Sequence, residues 1–485
     1  MSKFISVIFF TSVFIIVNGQ SHYKNLKPCA VPESRDSALC GSFLVYENRI
    51  TKQGRKISLN IIVIPALNKN SNQPPIFFFD GGPGIGTTKN ASWFAEKNNP
   101  YRQNNDVVLV DIRGTGGSNP LHCYELQYNS GLAEQFDEHN PRREMYPVEE
   151  VKSCYDSLSK KADLTQYTTT NIVHDMEEVR QWLDYKKIHL FGLSYGTRLA
   201  QEYMRRFPSS IETVVLQSAT SAGNRMPLYH AKFAQATLEK LFTDCTVDPL
   251  CRTAYPQLRK EFNALMSSGK QQHFKTIYTF SDDTRKQLSI PWSIFHTKLR
   301  TLMYEPSGLR QIPFIIHEAY KGNWKPFLSL YSEKANYSDF FADGLYLSIT
   351  CSEDVPFIKR KEARSLTRKT FMGNYRIQQQ QNACVSWTRG NIPNDLFQPV
   401  RSEIPTLILA GAWDPVTPVS MARVIAQDLS KSQLVIIPTM SHGFDGLSNA
   451  ECFHKIVMEF INGSGNSKVN MDCVSAMQPP SYKIK

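Results

Sequence analysis

The 485-residue sequence predicts an α/β fold in which a mostly parallel sheet with flanking helices is interrupted by a largely helical segment. Short apolar segments alternate with helical patterns over the first 224 residues, and this alternation stops from residue 225 to residue 395. It returns near the C-terminus. With 41% hydrophobic and 20% charged residues, the composition is that of an ordinary globular protein and excludes collagen-like, coiled-coil and wholly disordered chains.

The order of the predicted elements indicates how the sheet is built. They are strands at 58–64, 76–79 and 107–110, a helix at 171–183, a strand at 188–191, a helix at 197–206 and a strand at 213–216. Strands that alternate with crossover helices form a parallel sheet. Two further strands, at 406–410 and 434–437, complete it. We therefore expect a core at 20–224 and 396–485, interrupted by a helical cap domain at 225–395.

The N-terminus has the pattern of a secretory signal peptide. Lys3 precedes an apolar stretch at 4–17, and Val17-Asn18-Gly19 offers a cleavage site before Gln20. The stretch is shorter than the ~20 residues that span a bilayer, so a membrane anchor is the weaker alternative. We expect residues 1–19 to be removed and the mature protein to be secreted or periplasmic.

The ten cysteines fit an oxidising compartment, where an even number favours disulfide bonds. Pairing of neighbours along the chain would close five local loops, although spacing alone leaves the connectivity open. No Cys-x-x-Cys pair occurs, so we expect neither a zinc site nor another metal or cofactor.

The formal charge of +11 is spread along the chain and is not accompanied by a nucleic-acid-binding motif. Its densest run, at 359–369, has the spacing of one solvated helical face. We expect no nucleic-acid partner and no stable membrane insertion. The sequence leaves the oligomeric state open.

Gly192-Leu193-Ser194-Tyr195-Gly196 lies between a predicted strand and a predicted helix. A serine presented on such a tight turn needs neighbours without side chains, because the backbone there is strained and crowded. A serine hydroxyl is a weak nucleophile and requires a base and a group that orients the base. The pattern therefore predicts a nucleophile at Ser194 and an acid and a histidine after later strands.

Two residues meet this requirement. Asp414 follows the strand at 406–410, and His442 follows the strand at 434–437. Taken alone, Asp414 fits a turn before Pro415 equally well, and His442 fits a surface loop. Because Ser194, Asp414 and His442 occur in the required order, each just after a strand, we expect a catalytic triad.

A glycine-rich turn, Asp80-Gly81-Gly82-Pro83-Gly84, follows the strand at 76–79. Its backbone N–H at Gly82 and the N–H of Tyr195 are the candidate donors of an oxyanion hole. A plain Gly/Pro turn is the alternative.

Four motifs together resemble the secreted tripeptidyl and prolyl aminopeptidases of the α/β-hydrolase fold: the segments at 79–84, 111–118, 192–197 and 414–418. The resemblance spans nearly all of the mature chain. It implies an α/β-hydrolase core interrupted by a cap. Asp80 stands where the prolyl iminopeptidase branch usually has histidine, which slightly favours the tripeptidyl branch.

The resemblance also implies roles for particular residues. Family members bind the free amino end of a peptide through cap carboxylates, and Thr350-Cys351-Ser352-Glu353-Asp354 is similar to their cap-edge motif. It nominates Glu353 and Asp354 as substrate-binding residues, with solvated surface acids as the alternative. For Asp111 and Arg113 we expect a buried ion pair that shapes the turn.

The expected function is that of a secreted serine hydrolase that removes short peptides or single residues from peptides with a free N-terminus. An esterase or lactonase with the same fold and triad is one alternative, and a non-catalytic binding protein of this fold is another. Epoxide hydrolase chemistry is disfavoured, because that branch has aspartate at the position of Ser194. The number of residues removed per cleavage and the side-chain preference stay open.

Overall fold

A computed structural model describes residues 23–31, 37–126, 130–334 and 341–485. The expected signal peptide at 1–19 lies outside the described residues. None of the described helices is both long and apolar enough to cross a membrane.

The centre of the fold is a nine-stranded sheet with the strand order β1-β2-β3-β5-β4-β6-β7-β10-β11. From β5 to β11 all neighbours pair in parallel, whereas β1, β2, β3 and β5 pair antiparallel. The predicted parallel sheet is confirmed, and the antiparallel edge adds to it. The strands are β1 (Lys27–Ala30), β2 (Ser37–Tyr46), β3 (Lys56–Ile64), β4 (Ile76–Phe79), β5 (Val107–Val110), β6 (Ile188–Leu193), β7 (Ile211–Gln217), β10 (Thr406–Gly411) and β11 (Ser432–Ile437).

Both faces of this sheet are covered, as the alternation of its side chains shows. In β10, Ile408 and Ala410 join the apolar cluster on one face, and Leu407 and Leu409 join the cluster on the other. Successive strand residues point to opposite faces, so a strand that is apolar throughout is buried on both sides. This explains why the central strands have continuous apolar sequences.

Helices cover the faces and build the segment between β7 and β10. They are α1 (Ala91–Ala95), α2 (Leu132–Gln135), α3 (Val148–Ser159), α4 (Thr169–Trp182), α5 (Tyr195–Arg206), α6 (His230–Val247), α7 (Pro249–Ala254), α8 (Leu258–Gln271), α9 (Trp292–Leu302), α10 (Pro306–Leu309), α11 (Ile312–Tyr320), α12 (Lys325–Leu328), α13 (Asp343–Glu353), α14 (Arg360–Thr367), α15 (Tyr375–Ala383), α16 (Val419–Asp428) and α17 (Glu451–Asn462).

The segment at 225–395 is mostly helical and also contains an antiparallel hairpin, β8 (Phe274–Thr279) and β9 (Arg285–Ile290). Helices α6, α8, α9 and α11 enclose an apolar cluster of their own. Helix α13, in contrast, packs into the cluster of the sheet through Leu345, Leu347 and Ile349. The predicted domain boundaries stay a prediction, because packing divides this segment between the two clusters.

Five disulfide bonds link neighbouring cysteines along the chain: Cys29–Cys40, Cys123–Cys154, Cys245–Cys251, Cys351–Cys384 and Cys452–Cys473. No described cysteine is free. Each bond closes a local loop. Five such bonds are typical of a protein from an oxidising compartment.

A buried ion pair does form near the turn after β5, but with a different carboxylate from the expected one. Arg113 donates from Nε and Nη2 to the two oxygens of Asp175 on α4, at 2.6 and 2.8 Å, and both side chains are fully buried. Asp111 instead accepts from Thr88 and from the N–H of Gly117. Arg113 therefore ties the turn to α4, and Asp111 closes the loop beside it.

Loss of the Asp175 charge should destabilise the fold strongly. In Asp175→Asn, the buried guanidinium of Arg113 loses its counter-charge, and we expect the free energy of unfolding to fall by about 3–5 kcal/mol. Urea unfolding with the disulfide bonds intact measures this. Asp156→Asn, at the exposed pair with Lys152, is the matched control and should change stability by less than about 1 kcal/mol. Equal effects of the two substitutions would contradict the structural role of the Arg113 pair.

Candidate active site

Ser194 lies on a strained turn between β6 and α5, with φ 54° and ψ −117°. The glycines on either side of it allow this turn. A side chain on Gly192 would collide with the backbone of Gly196, and one on Gly196 would collide with the carbonyl oxygen of Phe79 in β4. The local sequence thus presents the Ser194 hydroxyl above the carboxyl end of the sheet.

His442 reaches this hydroxyl from the loop after β11. Its Nε2 lies 2.9 Å from Ser194 Oγ, and its Nδ1 lies 2.8 Å from Asp414 Oδ2. Ser218 donates a hydrogen bond of 2.6 Å to the carbonyl of His442 and fixes the loop from below. The structure therefore brings the three residues predicted as a triad into one hydrogen-bonded chain.

Asp414 is held by its own turn after β10. Its Oδ1 accepts from the N–H groups of Val416 and Thr417, at 2.7 and 2.8 Å, and Thr417 Oγ1 donates to Oδ2. Burial alone would raise the pKa of Asp414, but His442 and these donors outweigh burial and hold the pKa below its usual value. Asp414 is thus a carboxylate in a fixed orientation. Sequence reasoning missed the part played by Thr417, although it lies in the segment at 414–418.

The two candidate oxyanion donors lie beside Ser194. Tyr195 is the first residue of α5, where a helix has no internal acceptor for the N–H. The N–H of Gly81 is occupied by Asp80 Oδ1 at 2.6 Å, whereas no described group accepts from the N–H of Gly82. Gly82 has φ +111°, a conformation that side chains disfavour. The geometry leaves the amides of Gly82 and Tyr195 available to an oxygen above Ser194.

Ser194 and His442 open into a cavity of about 800 Å³. The loops at the end of the sheet form its floor, and the segment at 225–395 contributes side chains from α6, α9 and α15. The Tyr304 ring packs edge-on against His442, with ring centres 5.0 Å apart. The charged residues that line the cavity are Asp80, Arg300, Glu305, Arg376 and Asp445.

The structure does not place Glu353 and Asp354 in this cavity. Both side chains are fully buried at the end of α13, on either side of Arg198 from α5. Arg198 Nη1 lies 3.0 Å from Asp354 Oδ1, and its Nη2 lies 3.8 Å from Glu353 Oε2. Their expected role in binding a substrate amine stays a prediction that this placement does not support, and the structure shows both acids in a buried ion-pair group with Arg198 instead. Sequence reasoning placed the acids correctly at the cap edge but could not locate their buried partner.

Glu353 also connects to the residue after the candidate nucleophile. It accepts hydrogen bonds of 2.6 Å from both the N–H and the hydroxyl of Thr169 at the start of α4. The Tyr195 hydroxyl lies 2.8 Å from the same Thr169 hydroxyl. Glu353 thus positions Tyr195 through Thr169. Burial raises the pKa of Glu353 to about 7, against the opposing effects of Arg198 and Thr169.

Four charged cavity residues were not predicted: Arg300, Glu305, Arg376 and Asp445. The first three come from the helical segment, where one sequence gives no signal for which part faces the site. Among the described residues, no group of three or more side chains has the arrangement of a metal site.

Two family models match the chain. Residues 74–288 match the family described as alpha/beta hydrolase fold, and residues 369–473 match the family described as TAP-like protein. The first match includes Ser194, and the second includes Asp414 and His442. Residues 289–368 of the helical segment lie between the two matches.

Curated relatives are similar over part of their length. The tripeptidyl aminopeptidase of Streptomyces coelicolor is 27% identical over 212 residues, 40% of this chain and 38% of the relative. Serine protease Hip1 of Mycobacterium tuberculosis is 26% identical over 225 residues, 44% of this chain and 42% of the relative. The matches thus span about two fifths of these relatives. Among solved structures, the alpha/beta hydrolase MGS-M2 from a deep-sea metagenome library has a TM-score of 0.37 and 13% identity, covering 89% of this chain and 100% of that one.

The raised pKa of Glu353 predicts how stability depends on pH. Between about 4.5 and 7 the folded protein keeps a proton that the unfolded chain releases, so the contribution of Glu353 to stability falls as pH rises through this window. The slope for one such proton is at most about 1.4 kcal/mol per pH unit.

Urea unfolding at several pH values tests this expectation. Glu353→Gln should make the slope of stability against pH between 4.5 and 7 less negative than in the parent, by up to about 1.4 kcal/mol per pH unit, and Glu149→Gln, at an exposed site on α3, should leave the parent's slope unchanged. The same decline in Glu353→Gln as in the parent would refute the assignment.

Proposed function

The chain belongs to the α/β-hydrolase fold family, and from this premise we propose that it is a secreted serine aminopeptidase that releases short peptides or single residues from free N-termini. The observation that carries the proposal is the hydrogen-bonded chain of Ser194, His442 and Asp414 at the floor of a partly enclosed cavity. A nucleophile, a base and an orienting carboxylate in this order are the components of acyl transfer through a covalent intermediate.

The mechanism follows from the distances. His442 Nε2, 2.9 Å from Ser194 Oγ, takes the hydroxyl proton as the oxygen attacks the scissile carbonyl. Asp414 stabilises the imidazolium that forms at its 2.8 Å hydrogen bond. His442 then donates the proton to the leaving amine, and an acyl-enzyme remains. Water, activated by the same imidazole, attacks the ester, and Ser194 is regenerated.

The oxyanion of each tetrahedral intermediate would accept hydrogen bonds from the backbone N–H groups of Gly82 and Tyr195. Tyr195 follows Ser194 directly in the chain, Gly82 lines the same cavity as Ser194, and neither amide is taken by a described acceptor. Donors fixed before the reaction stabilise developing charge without reorganisation, and each contributes on the order of 100- to 1000-fold in rate.

Glu305 is our candidate for the group that holds the substrate's free amine. It lines the cavity beside His442 and keeps its position because Oε2 accepts from the N–H of Asp445 at 2.9 Å. Burial raises the pKa of its carboxyl above the usual value. A bound ammonium group would favour the charged carboxylate, so Glu305 and the amine would stabilise each other's charge.

The family matches and the names of the relatives support peptides as the substrate class. The C-terminal match to TAP-like proteins covers the predicted acid and base, and the similar S. coelicolor protein is a tripeptidyl aminopeptidase. The five disulfide bonds support export to an oxidising compartment.

Removal of the nucleophile tests the mechanism. Ser194→Ala should lower kcat on a tripeptide anilide by about 10⁴-fold or more and abolish labelling by a fluorophosphonate probe. Ser267→Ala, at an exposed position of α8, is the control and should keep the parent's rate and labelling. Turnover near the parent's level in Ser194→Ala would exclude Ser194 as the nucleophile.

The amine contact is tested with free and N-acetylated versions of one tripeptide anilide. The parent should prefer the free peptide, and Glu305→Gln should lower kcat/KM for it by about 10-fold or more, because a charge-assisted hydrogen bond is lost. The acetylated peptide should be much less affected.

Asp445→Asn is the matched control, since this cavity carboxylate is already bonded to the Ser307 hydroxyl at 2.6 Å. It should keep the preference for the free amine. A parent that hydrolyses both peptides, and esters as well, without discrimination would favour the esterase alternative over the aminopeptidase.

A further inference from the structure

Arg300 is a buried cation in the cavity, and no carboxylate of the described residues forms an ion pair with it. It lies on α9 and is 6% exposed, and its Nε and Nη2 have no hydrogen-bond partner. Its guanidinium lies over the ring of Tyr304, 5.3 Å from the ring centre. A buried guanidinium normally has a carboxylate or several acceptors around it, because removal from water is costly.

Arg376, from α15, lines the same cavity and has only neutral partners. Its Nη1 donates to Gln380 Oε1 at 3.1 Å, and its Nη2 donates to the Tyr346 hydroxyl at 3.0 Å. The rings of Tyr146 and Tyr346 flank it, with centres 5.2 and 5.8 Å away. Within the described ranges, neither Arg300 nor Arg376 forms an ion pair with a carboxylate.

The two guanidinium groups face one region of the cavity. Burial is the main cause of the lowered pKa of His230, and the next causes are the positive charges of Arg300 and Arg376. Burial raises the pKa of Tyr346, and the positive charges of Arg376 and Arg300 both oppose this rise. The three carboxylates that line the cavity have other partners. Asp80 accepts from Asn90 and pairs with Lys89, Glu305 accepts from the N–H of Asp445, and Asp445 accepts from the Ser307 hydroxyl.

We propose that Arg300 and Arg376 form a subsite for a carboxylate group of the peptide substrate. The inference rests on the proposed function and narrows its substrate class. A carboxylate would fill the unsatisfied donors of Arg300 and supply the charge that both guanidinium groups lack. Two parts of a peptide carry this group, an acidic side chain and the C-terminus of a short peptide.

The cavity has room for either source. A side chamber of about 490 Å³ shares Tyr346 and Arg376 with the main cavity and continues past Tyr146. The chamber is itself lined by charges of both signs, with Glu144 and Asp343 among the acids. The region that Arg300 and Arg376 face therefore lies at the junction of the chamber and the main cavity.

The test measures peptide binding to the Ser194→Ala protein, which removes turnover. The first pair of probes is tetra-alanine with a free C-terminus and tetra-alanine amide. In three further pairs, the amidated peptide carries either glutamate or glutamine at position two, three or four. Isothermal titration calorimetry gives Kd for each. We expect a carboxylate peptide to bind about 10-fold or more tightly than its neutral twin. An advantage of free tetra-alanine identifies the C-terminus, and an advantage of a glutamate peptide identifies a side chain.

Arg300→Gln and Arg376→Gln, each added to Ser194→Ala, should reduce this advantage to less than about 3-fold. Arg300→Lys should keep part of it. Arg401→Gln removes one positive charge from an exposed pair with Asp428 and should keep it all. Binding of the neutral peptides shows that each variant is folded.

In the Ser194→Ala protein with both arginines present, equal Kd values for the carboxylate and the neutral peptide of every pair would overturn the proposal. This comparison requires no arginine variant. An undiminished advantage in both glutamine variants, or no binding of any peptide, would also overturn it. Fluorophosphonate labelling of the unsubstituted protein reports separately on Ser194. Failure of the carboxylate-subsite proposal is thus distinguished from failure of the proposed serine hydrolase function.

Discussion

The site depends on one strained turn. Ser194 has a positive φ, a conformation that costs of order 1–3 kcal/mol and persists only where the surroundings enforce it. Here the enforcement comes from the sheet. The Ser194 N–H donates to the carbonyl of Gln217 in β7 at 3.0 Å, and the helix starts against the backbone of Phe79 in β4. Strands β4, β6 and β7 must therefore be in register before the hydroxyl is exposed towards His442.

A second constraint holds the cap edge to this turn. Arg198 lies one turn into the helix that begins after Ser194, and both of its carboxylate partners end α13. Separating Arg198 from its carboxylate partners would leave uncompensated buried charges, so the two helices are held together as a unit. Through Thr169 the same network reaches the Tyr195 hydroxyl. Glu353, which family resemblance assigns to substrate, thus acts through Thr169 on the orientation of Tyr195, the residue proposed to supply an oxyanion donor.

The parts of the site that the sequence predicted are those tied to strand ends. Ser194, Asp414 and His442 each follow a short apolar strand, and parallel strands bring such loops to one edge. Contacts between distant segments had no such signal. Arg198 is separated from Glu353 by more than 150 positions, and Asp175 from Arg113 by about 60. Arg300 lies on the cap helix α9 and Glu305 lies between α9 and α10, and one sequence does not determine how these helices are oriented. The hairpin β8–β9 was missed because it lies within a helical context.

In the proposed mechanism, selectivity cannot come from Ser194, His442 and Asp414, because these groups would act on the carbonyl that every peptide and ester has in common. It has to come from the cap, and the end of α9 carries most of the relevant chemistry. Arg300 lies in the last turn of α9, Tyr304 lies in the turn that follows this helix, and Glu305 comes directly before α10. The Tyr304 ring packs edge-on against His442, and the Arg300 guanidinium lies over the same Tyr304 ring. One short segment therefore sets the positions of a cation, a carboxylate and the base relative to each other. A displacement of α9 would move both charged groups together, so recognition of a substrate amine and of a substrate carboxylate would be coupled through this helix rather than tuned independently.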